Sequence, residues 1–263
     1  MDRDLWCRLS DSNLAESHRE FARWHPDGEV LERQGMLLTR GASRYPGVNF
    51  AMRTGPGADP ARLVQRATTF FRPRADGFAI RARAHADADL AAYCRRHDLF
   101  MAGENLGLVR REAIEPRPPP SGARIHLVDS PSEGKDFGTV AAAAFATIGL
   151  PEATAAQIFA YPEAMLAPHL VAMLAYVDNR PAATALSLLS HGIAGLYWVG
   201  TAPWARRRGL ARFVTIQVHN HVLALGARGV VLQASSIHAD FYRALGFETL
   251  TRYPWFFAGH LPT

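Results

Sequence analysis

The residues best suited to carry chemistry lie at positions 199–211, where a predicted strand ends and a predicted helix begins. Three arginines, Arg206, Arg207 and Arg208, precede Gly209 at the expected helix start. The first amides of a helix lack intrahelical acceptors and the helix dipole is positive at that end, so this position favours a phosphate or pyrophosphate. Gly209 has no side chain to obstruct a close approach of the backbone to an anion. The stretch therefore predicts an anion-binding loop, to which the guanidinium groups would add charge.

The charge pattern around this loop supports the same interpretation. No Asp or Glu occurs between Asn179 and Ala239, whereas six arginines do: Arg180, Arg206, Arg207, Arg208, Arg212 and Arg228. A solvated helix start is the alternative reading of the arginine triplet taken alone. The loop is not a Walker motif, because no Gly-Lys-Ser/Thr follows, and it has too few glycines for a dinucleotide fingerprint.

Residues 206–211, with an Arg-x-x-Gly-x-Ala pattern, resemble the acyl-CoA signature of the GNAT superfamily of N-acyltransferases. Downstream, residues 232–247 are similar to that family's strand, short helix and tyrosine-containing Leu-Gly-Phe ending. The resemblance covers residues 124–260 and implies an α/β fold, in which a twisted mixed sheet is flanked by helices, with acetyl-CoA as co-substrate. The N-terminal part has a weaker version of the same element order and no signature, which implies two GNAT-like halves in tandem, the first degenerate.

The resemblance also implies a role for each matching position. Val199, Gly200 and Thr201 would offer backbone groups to the pantetheine arm and the thioester. Ser235 stands where the family often has an asparagine that faces the pantetheine, and Tyr242 stands where the family places a hydroxyl that meets the departing sulfur. The pyrophosphate would be held by a run of consecutive residues: Arg206, Arg207, Arg208, Gly209, Leu210 and Ala211.

The implied reaction is direct attack of an amine on a thioester, so no covalent enzyme intermediate is needed. A phenol with a pKa near 10 can protonate a thiolate whose thiol has a pKa near 8.5, which makes Tyr242 a feasible acid. Many relatives carry a carboxylate on the strand that corresponds to residues 193–201, and this sequence has none there. His238 could crowd the site near Ser235, contact substrate or lie on the surface. The general base stays open among His191, Glu152, Glu163 and the terminal carboxylate of Thr263.

A proline-rich stretch at residues 116–122 is too stiff to join a sheet interior and predicts a linker. It separates an N-terminal domain at 1–115 from an acetyl-CoA-binding domain at 123–263. In the second part, the patterning predicts strands and helices that alternate: strands at 124–128, 170–177, 182–190, 193–201, 230–233 and 247–257, and helices up to 146 and at 152–166, 209–225 and 239–245. In the first part it predicts strands at 35–39, 49–53 and 78–83 and helices at 60–71 and 87–97.

Composition excludes several classes of protein. The 263 residues include 29 basic and 24 acidic side chains, and the net charge of +5 is too small to argue for nucleic acid. Two cysteines without CxxC spacing exclude a disulfide scaffold and a zinc ribbon, and no metal site is predicted. The N-terminus lacks the uninterrupted apolar stretch of a signal peptide, and the longest apolar run, 140–150, is too short to span a bilayer. These features predict a cytoplasmic protein.

The sequence thus favours an acetyl-CoA-dependent N-acetyltransferase that acts on a primary amine of a small molecule, as a monomer or homodimer. A non-catalytic acyl-CoA sensor is the alternative, motivated by the missing strand carboxylate. Nucleic-acid binding by the arginine-rich loop is a weaker third possibility, which a steep salt dependence of affinity would reveal.

Overall fold

The computed structural model of the protein describes residues 2–55 and 58–259. Its helices are α1 (Arg3–Arg23), α2 (Pro60–Phe71), α3 (Ala88–Arg96), α4 (Pro131–Ala146), α5 (Glu152–Ile158), α6 (Leu210–Ala224) and α7 (Ser236–Arg243). Its strands are β1 (Glu29–Arg33), β2 (Met36–Arg40), β3 (Asn49–Arg53), β4 (Gly77–Arg81), β5 (Phe100–Arg110), β6 (Ala123–Leu127), β7 (Leu170–Val177), β8 (Arg180–Ser190), β9 (Ile193–Thr201), β10 (Val230–Ser235) and β11 (Glu248–Gly259). The predicted α/β class, with mixed sheet flanked by helices, is confirmed.

The chain forms two compact units that are not consecutive stretches of sequence. Unit 1 comprises Met1–Leu108, Gln233–Arg243 and Glu248–Thr263, and unit 2 comprises Val109–Leu232 and Ala244–Phe247. The proline-rich stretch at 116–122, predicted as the linker, falls inside unit 2. The predicted domain boundary after residue 115 stays a prediction. The chain passes from unit 1 to unit 2 after Leu108, returns to unit 1 after Leu232, and contributes Ala244–Phe247 to unit 2.

Unit 1 has its strands in the order β1-β2-β3-β4-β11-β5. Strands β1, β2 and β3 pair antiparallel, β3 and β4 pair in parallel, and β11 returns antiparallel to β4. One face of this sheet carries the larger core, in which Leu63, Phe71 and Leu90 from α2 and α3 pack on Ile80 and Phe256. Since side chains alternate along a strand, Leu37 and Met52 point to the opposite face, where they pack against Ala15 of α1.

In unit 2, strands β6, β7, β8 and β9 form an antiparallel meander, and β9 pairs in parallel with β10. Helix α6 packs on β7, β8 and β9 through Leu210, Val214, Val218 and Val222, which are buried at a four-residue spacing. Helix α4 also packs on β8 and β9. These contacts fix the end of β9 and the start of α6, between which the predicted anion-binding loop lies.

Local chemistry explains where the helices begin. At α4, the Ser130 hydroxyl accepts from the amide of Glu133 at 3.4 Å, and the Glu133 carboxylate accepts from the amide of Asp129 at 3.1 Å. At α2, Asp59 accepts from the amide of Arg62 at 2.8 Å. In both helices a proline occupies the first turn, where its missing N–H has no cost.

Candidate functional site

Strand β9 is interrupted by a β-bulge near its C-terminal end. The register runs from Leu186 opposite Tyr197 to Thr184 opposite Gly200, so Trp198 and Val199 face a single residue of β8. Trp198 has a φ of 51°, a left-handed conformation that is uncommon for a bulky residue. The Thr184 hydroxyl donates to the Trp198 carbonyl at 3.0 Å and so holds the bulge in place.

The parallel ladder between β9 and β10 is short. It joins Ala194 and Gly195 to Val230 and Val231, and it ends there. The predicted contact residues Val199, Gly200 and Thr201 lie beyond that point. Gly200 and Thr201 are still paired with β8 on the other side, and Val199 lies in the bulge. This end of β9 therefore has no paired strand on its β10 side. Its backbone N–H and C=O groups on that side are available to contact a ligand.

Gly200 and Thr201, at the end of β9, have different roles. A Cβ added to Gly200 would lie 2.9 Å from Ala144 Cβ and 3.3 Å from Thr184 Oγ1, so the absence of a side chain there is required by the packing of α4. Thr201 differs, because its hydroxyl oxygen is buried and has no hydrogen-bond partner within residues 2–55 and 58–259. A buried hydroxyl without a partner is costly, which makes Thr201 Oγ1 a candidate ligand contact.

The loop that follows β9 presents a run of unpaired amides. After a short 3₁₀ turn at Pro203–Ala205, Arg207 and Gly209 both adopt left-handed conformations, with φ of 59° and 79°. Helix α6 then begins at Leu210, and Phe213 makes the first backbone hydrogen bond, to the Gly209 carbonyl at 3.0 Å. In the described part of the chain, the amides of residues 207–212 donate to no backbone or side-chain acceptor. Successive free N–H groups at a helix start form a concavity suited to an anion.

The three arginines before Gly209 are placed differently. Arg206 donates to Thr147 Oγ1 at 2.6 Å, and more weakly to the Thr201 carbonyl at 3.4 Å. Arg208 donates to the Ser121 carbonyl at 3.3 Å. The exposed Arg207 guanidinium has no ion pair and no hydrogen bond among the described residues. Arg207 is thus the guanidinium of the triplet that is available to a ligand without breaking another contact.

The other two predicted site residues, Ser235 and Tyr242, belong to unit 1. Ser235 Oγ lies 3.0 Å from His238 Nδ1, so the Ser235 hydroxyl is already hydrogen-bonded to this histidine. The Tyr242 ring meets the Phe241 ring edge to face at 4.9 Å, and burial raises the pKa of the Tyr242 phenol well above its usual value. Tyr242 therefore stays protonated at neutral pH, in the state from which a phenol can donate.

No hydrogen bond among the described residues joins His191, Glu152 or Glu163 to the loop. His191 lies at the tip of the β8–β9 hairpin, with a φ of 55°, and Arg228 donates to its carbonyl at 3.3 Å. Val199 lies eight positions further along the extended chain, which corresponds to about 25 Å. Glu152 begins α5 and Glu163 lies in a 3₁₀ turn, both exposed, while Thr263 lies outside the described residues. The base stays unassigned.

A surface cavity in unit 1, of about 320 Å³, does not coincide with the predicted site. Three guanidiniums line it, and each is already paired with a carboxylate: Arg40 with Glu29 at 2.8 Å, Arg44 with Asp76 at 2.7 Å, and Arg74 with Glu29. A cavity whose cations are neutralised in this way offers little surplus charge to an anionic ligand.

Sequence reasoning missed the bulge and the packing that supports it. The Trp198 ring lies 4.8 Å from the Phe145 ring and 5.0 Å from the Phe159 ring. The sequence shows these residues as aromatics on or near elements, and no local signal marks Trp198 as left-handed. Among residues 2–55 and 58–259, no three His, Cys, Asp or Glu side chains form a group that could hold a metal ion, and no helix has the length and apolar character needed to cross a bilayer.

Several solved structures with the same fold are described as GCN5-related or GNAT-family proteins. A GCN5-related N-acetyltransferase from Kribbella flavida superposes with a TM-score of 0.72 and 19% identity, covering 97% of this chain and 96% of that one. A GCN5-related N-acetyltransferase from Sphaerobacter thermophilus gives a TM-score of 0.66 and 16% identity over 91% of this chain and 84% of that one. A tandem GNAT protein from the clavulanic acid biosynthesis pathway gives 0.61 and 13% identity over 90% and 85%.

These similarities establish the fold. No family model and no curated protein matches the sequence. The chain therefore has the fold of the GCN5-related N-acetyltransferases, and the resemblance predicted from residues 206–211 and 232–247 is confirmed at the level of the fold. The match to a tandem GNAT protein agrees with two such halves in one chain.

Proposed function

We propose that the protein is an acetyl-CoA-dependent N-acetyltransferase that transfers the acetyl group to a primary amine of a small molecule. The observation that carries the proposal is the run of unpaired amides at residues 207–212, which begins α6 beside the exposed Arg207. The shared fold supports it, since the neighbours are N-acetyltransferases.

The donor set suits a pyrophosphate. A Cβ added to Gly209 would meet a single atom within 4 Å, Pro120 Cγ at 4.0 Å, so the space in front of the amides is open. Hydrogen bonds to a charged group contribute about 1.5–3 kcal/mol each. Two or three of them, together with the charge of Arg207, would hold a nucleotide at roughly micromolar concentration. Val199 and Thr201 would bind the pantetheine arm through backbone groups and the unpaired hydroxyl.

When bound, acetyl-CoA supplies the acetyl group that the amine of the second substrate attacks directly in a ternary complex. The protein's own part is to hold both substrates in place, which accounts for much of the rate in such reactions. A backbone N–H near Val199 would stabilise negative charge on a carbonyl oxygen. Tyr242 would hold its phenolic proton ready for the sulfur. Because its pKa is raised, it would act by donating a hydrogen bond rather than by early proton transfer.

The alternative is an acyl-CoA sensor that binds without turnover. It is favoured by the composition of β9, in which no carboxylate occurs from Ile193 to Thr201. Release of free thiol from acetyl-CoA in the presence of a panel of small-molecule amines and peptides distinguishes the two. Turnover with a metabolite amine supports the enzyme, turnover with peptides alone contradicts the small-molecule acceptor, and tight binding without thiol release supports the sensor.

The binding site is tested by the substitution Gly209→Glu, with isothermal titration of coenzyme A and acetyl-CoA as the measurement. A carboxylate in front of the amides repels the pyrophosphate, so we expect affinity to fall roughly 100-fold or more. Gly226→Glu is the matched control, because Gly226 has a φ of 95°, no atom within 4 Å of an added Cβ, and a position at the opposite end of α6.

Equal backbone strain in the two variants separates folding from binding. If wild-type protein and Gly226→Glu bind coenzyme A while Gly209→Glu does not, and all three give the same circular dichroism, the site is supported. Unchanged affinity in Gly209→Glu, or no heat of binding with wild-type protein, contradicts it.

A further inference from the structure

Unit 1 contains a guanidinium that no carboxylate neutralises. Arg81, at the end of β4, forms no ion pair and no hydrogen bond among residues 2–55 and 58–259, and its Nε is buried without a partner. Burial lowers the pKa of Arg81 to about 10. Arg81 as a whole is half-buried, but its Nε is desolvated, and desolvating a cation without a counter-ion is costly.

Two aromatic rings flank this guanidinium. Arg81 lies opposite Trp255 in the β4–β11 register, and its Cζ is 4.8 Å from the centre of the Trp255 ring. On the side of β3, Cζ lies 5.3 Å from the centre of the Phe50 ring. Such contacts orient a guanidinium and leave its N–H edge free for a planar partner.

Two further buried polar groups without partners border Phe50. The His18 ring of α1 stacks on the Phe50 ring at 4.1 Å, and its Nε2 is unpaired within the described residues. Thr39 lies directly opposite Phe50 in the β2–β3 register, and its buried hydroxyl is also unpaired there. His18 is 7% exposed and Thr39 1%. Burial and the charge of Arg81 lower the pKa of His18 well below its usual value, so the imidazole is neutral at physiological pH.

The group is open to solvent at its rim. Phe50, Arg81, Trp255 and Phe257 are each half-buried, while His18 and Thr39 are buried. Together they form a cluster on the α1 face of the unit 1 sheet, with an aromatic rim, one unpaired cation and two unsatisfied polar atoms. Buried polar groups are normally paired, so three of them around one phenylalanine make this cluster a candidate for ligand contacts.

We propose that this cluster binds a small planar carboxylate, with Arg81 as its anchor and the half-buried rim of Trp255 and Phe257 beside its apolar body. A carboxylate matches the fork of a guanidinium in two parallel hydrogen bonds, and its single charge balances the single cation. A phosphate would bring up to two negative charges to one cation, and a neutral amide none. Nothing in this assignment depends on acetyl transfer or on the amides at the start of α6.

Isothermal titration at constant ionic strength tests the proposal with three probes: benzoate, benzamide and inorganic phosphate. Benzoate combines a flat apolar body with a carboxylate, and benzamide has nearly the same shape without the charge. We expect saturable benzoate binding by wild-type protein, at least roughly tenfold stronger than binding of either other probe. Absence of benzoate binding overturns the proposal, as does benzamide or phosphate binding that equals or exceeds that of benzoate.

The variant Arg81→Gln removes the charge and should weaken benzoate binding roughly tenfold or more. Arg81→Lys keeps the charge without the fork and should give an intermediate loss. Arg95→Gln is the control, because Arg95 also lies over an aromatic ring, that of Phe256 at 5.7 Å, but is exposed. Equal benzoate affinity in Arg81→Gln and wild type overturns the proposal, whereas coenzyme A affinity should be unchanged in all three variants.

Discussion

At the scale of single residues, Arg206, Arg207 and Arg208 have three different environments although the sequence shows them as one triplet. Arg206 and Arg208 donate to neighbouring parts of their own unit, while Arg207 is exposed and unpaired in the described part of the chain. Arg207 is also the member of the triplet with a left-handed backbone, at a φ of 59°. The chemistry of the triplet should therefore rest mainly on Arg207.

Arg207→Gly removes the guanidinium while keeping a residue that tolerates the left-handed backbone. We expect the Kd for coenzyme A to rise roughly tenfold at low ionic strength, and the difference from wild type to shrink as salt screens the contact. Titration at two salt concentrations measures this. Arg228→Gly, between α6 and β10, where the side chain donates to the β8–β9 hairpin tip, should leave the Kd unchanged. An equal effect of the two substitutions would show that Arg207 has no special part in binding.

Tyr242→Phe should lower kcat roughly 10- to 100-fold and change the Kd for acetyl-CoA by no more than about twofold. The reason is that the phenolic proton takes part in the reaction and does not contribute to acetyl-CoA binding. Burial raises the pKa of Tyr242, which favours the protonated phenol. Phenol ionisation should therefore not reduce the rate between about pH 6 and pH 10. Rates of thiol release across that range measure both effects. The exposed Tyr161→Phe is the control, and full activity of Tyr242→Phe would refute the role.

At the scale of elements, helix α4 depends on two glycines that let the following segment approach it. A Cβ on Gly138 would lie 2.7 Å from Phe159 Cβ, and a Cβ on Gly134 would lie 2.9 Å from Pro162 Cβ. Phe159 in turn packs against Trp198 in the bulge of β9. The bulge is thus supported by tertiary packing, which explains how a tryptophan can hold a left-handed backbone.

Gly138→Ala should destabilise the protein even though alanine is the better helix former by about 1 kcal/mol. We expect the free energy of unfolding to fall by about 1–3 kcal/mol, because the added methyl group overpacks the contact with Phe159. Urea denaturation measures the change. Thr139→Ala, at an exposed position on the same helix, should leave stability unchanged or slightly higher. A stability gain in Gly138→Ala would mean that Phe159 moves aside for the added methyl group at little cost, which would contradict the prediction.

At the scale of the whole molecule, the last strand completes the first unit. In β11, Phe256 is fully buried in the larger core of unit 1. On the same strand, the Tyr253 phenol donates to Asp11 Oδ1 at 2.8 Å, and its oxygen lies 3.0 Å from Ser10 Oγ, from which it can accept. Residues more than 240 positions apart therefore stabilise one another within unit 1. Such long-range pairing is slow to form, because the chain between the partners must close first.

Phe256→Ala should remove about 3–5 kcal/mol from the stability of unit 1, since it leaves a large cavity between β11 and helices α2 and α3. Amide hydrogen exchange, read by mass spectrometry, should show lost protection in β3 and β4. The exposed Arg252→Ala, on the same strand, should preserve that protection. If β4 kept wild-type protection in Phe256→Ala, the contribution of β11 to this core would be refuted.

Local patterns sufficed to predict many elements and the place of the loop. Helix α2 and strands β3, β7 and β9 have the predicted bounds, because turn residues and prolines mark their ends and alternation or helical periodicity fills them. The start of α6 after Gly209 was predicted within one residue for the same reason. These features depend on interactions between residues close in sequence, which is what a pattern records.

Other features depend on residues distant in sequence. Helix α1 was not predicted, because the polar side chains that it buries, among them Ser10, Asn13 and His18, interrupt any apolar stripe. The pairing of β11 with β4, the left-handed Trp198 and the uncompensated charge of Arg81 all arise from contacts made after the chain folds. A strand-forming sequence can pair with any available sheet edge, so the pattern of β11 does not determine that it pairs with β4. Whether a charged side chain has a partner depends on residues that only the folded chain brings near it. No local pattern could therefore have distinguished these outcomes.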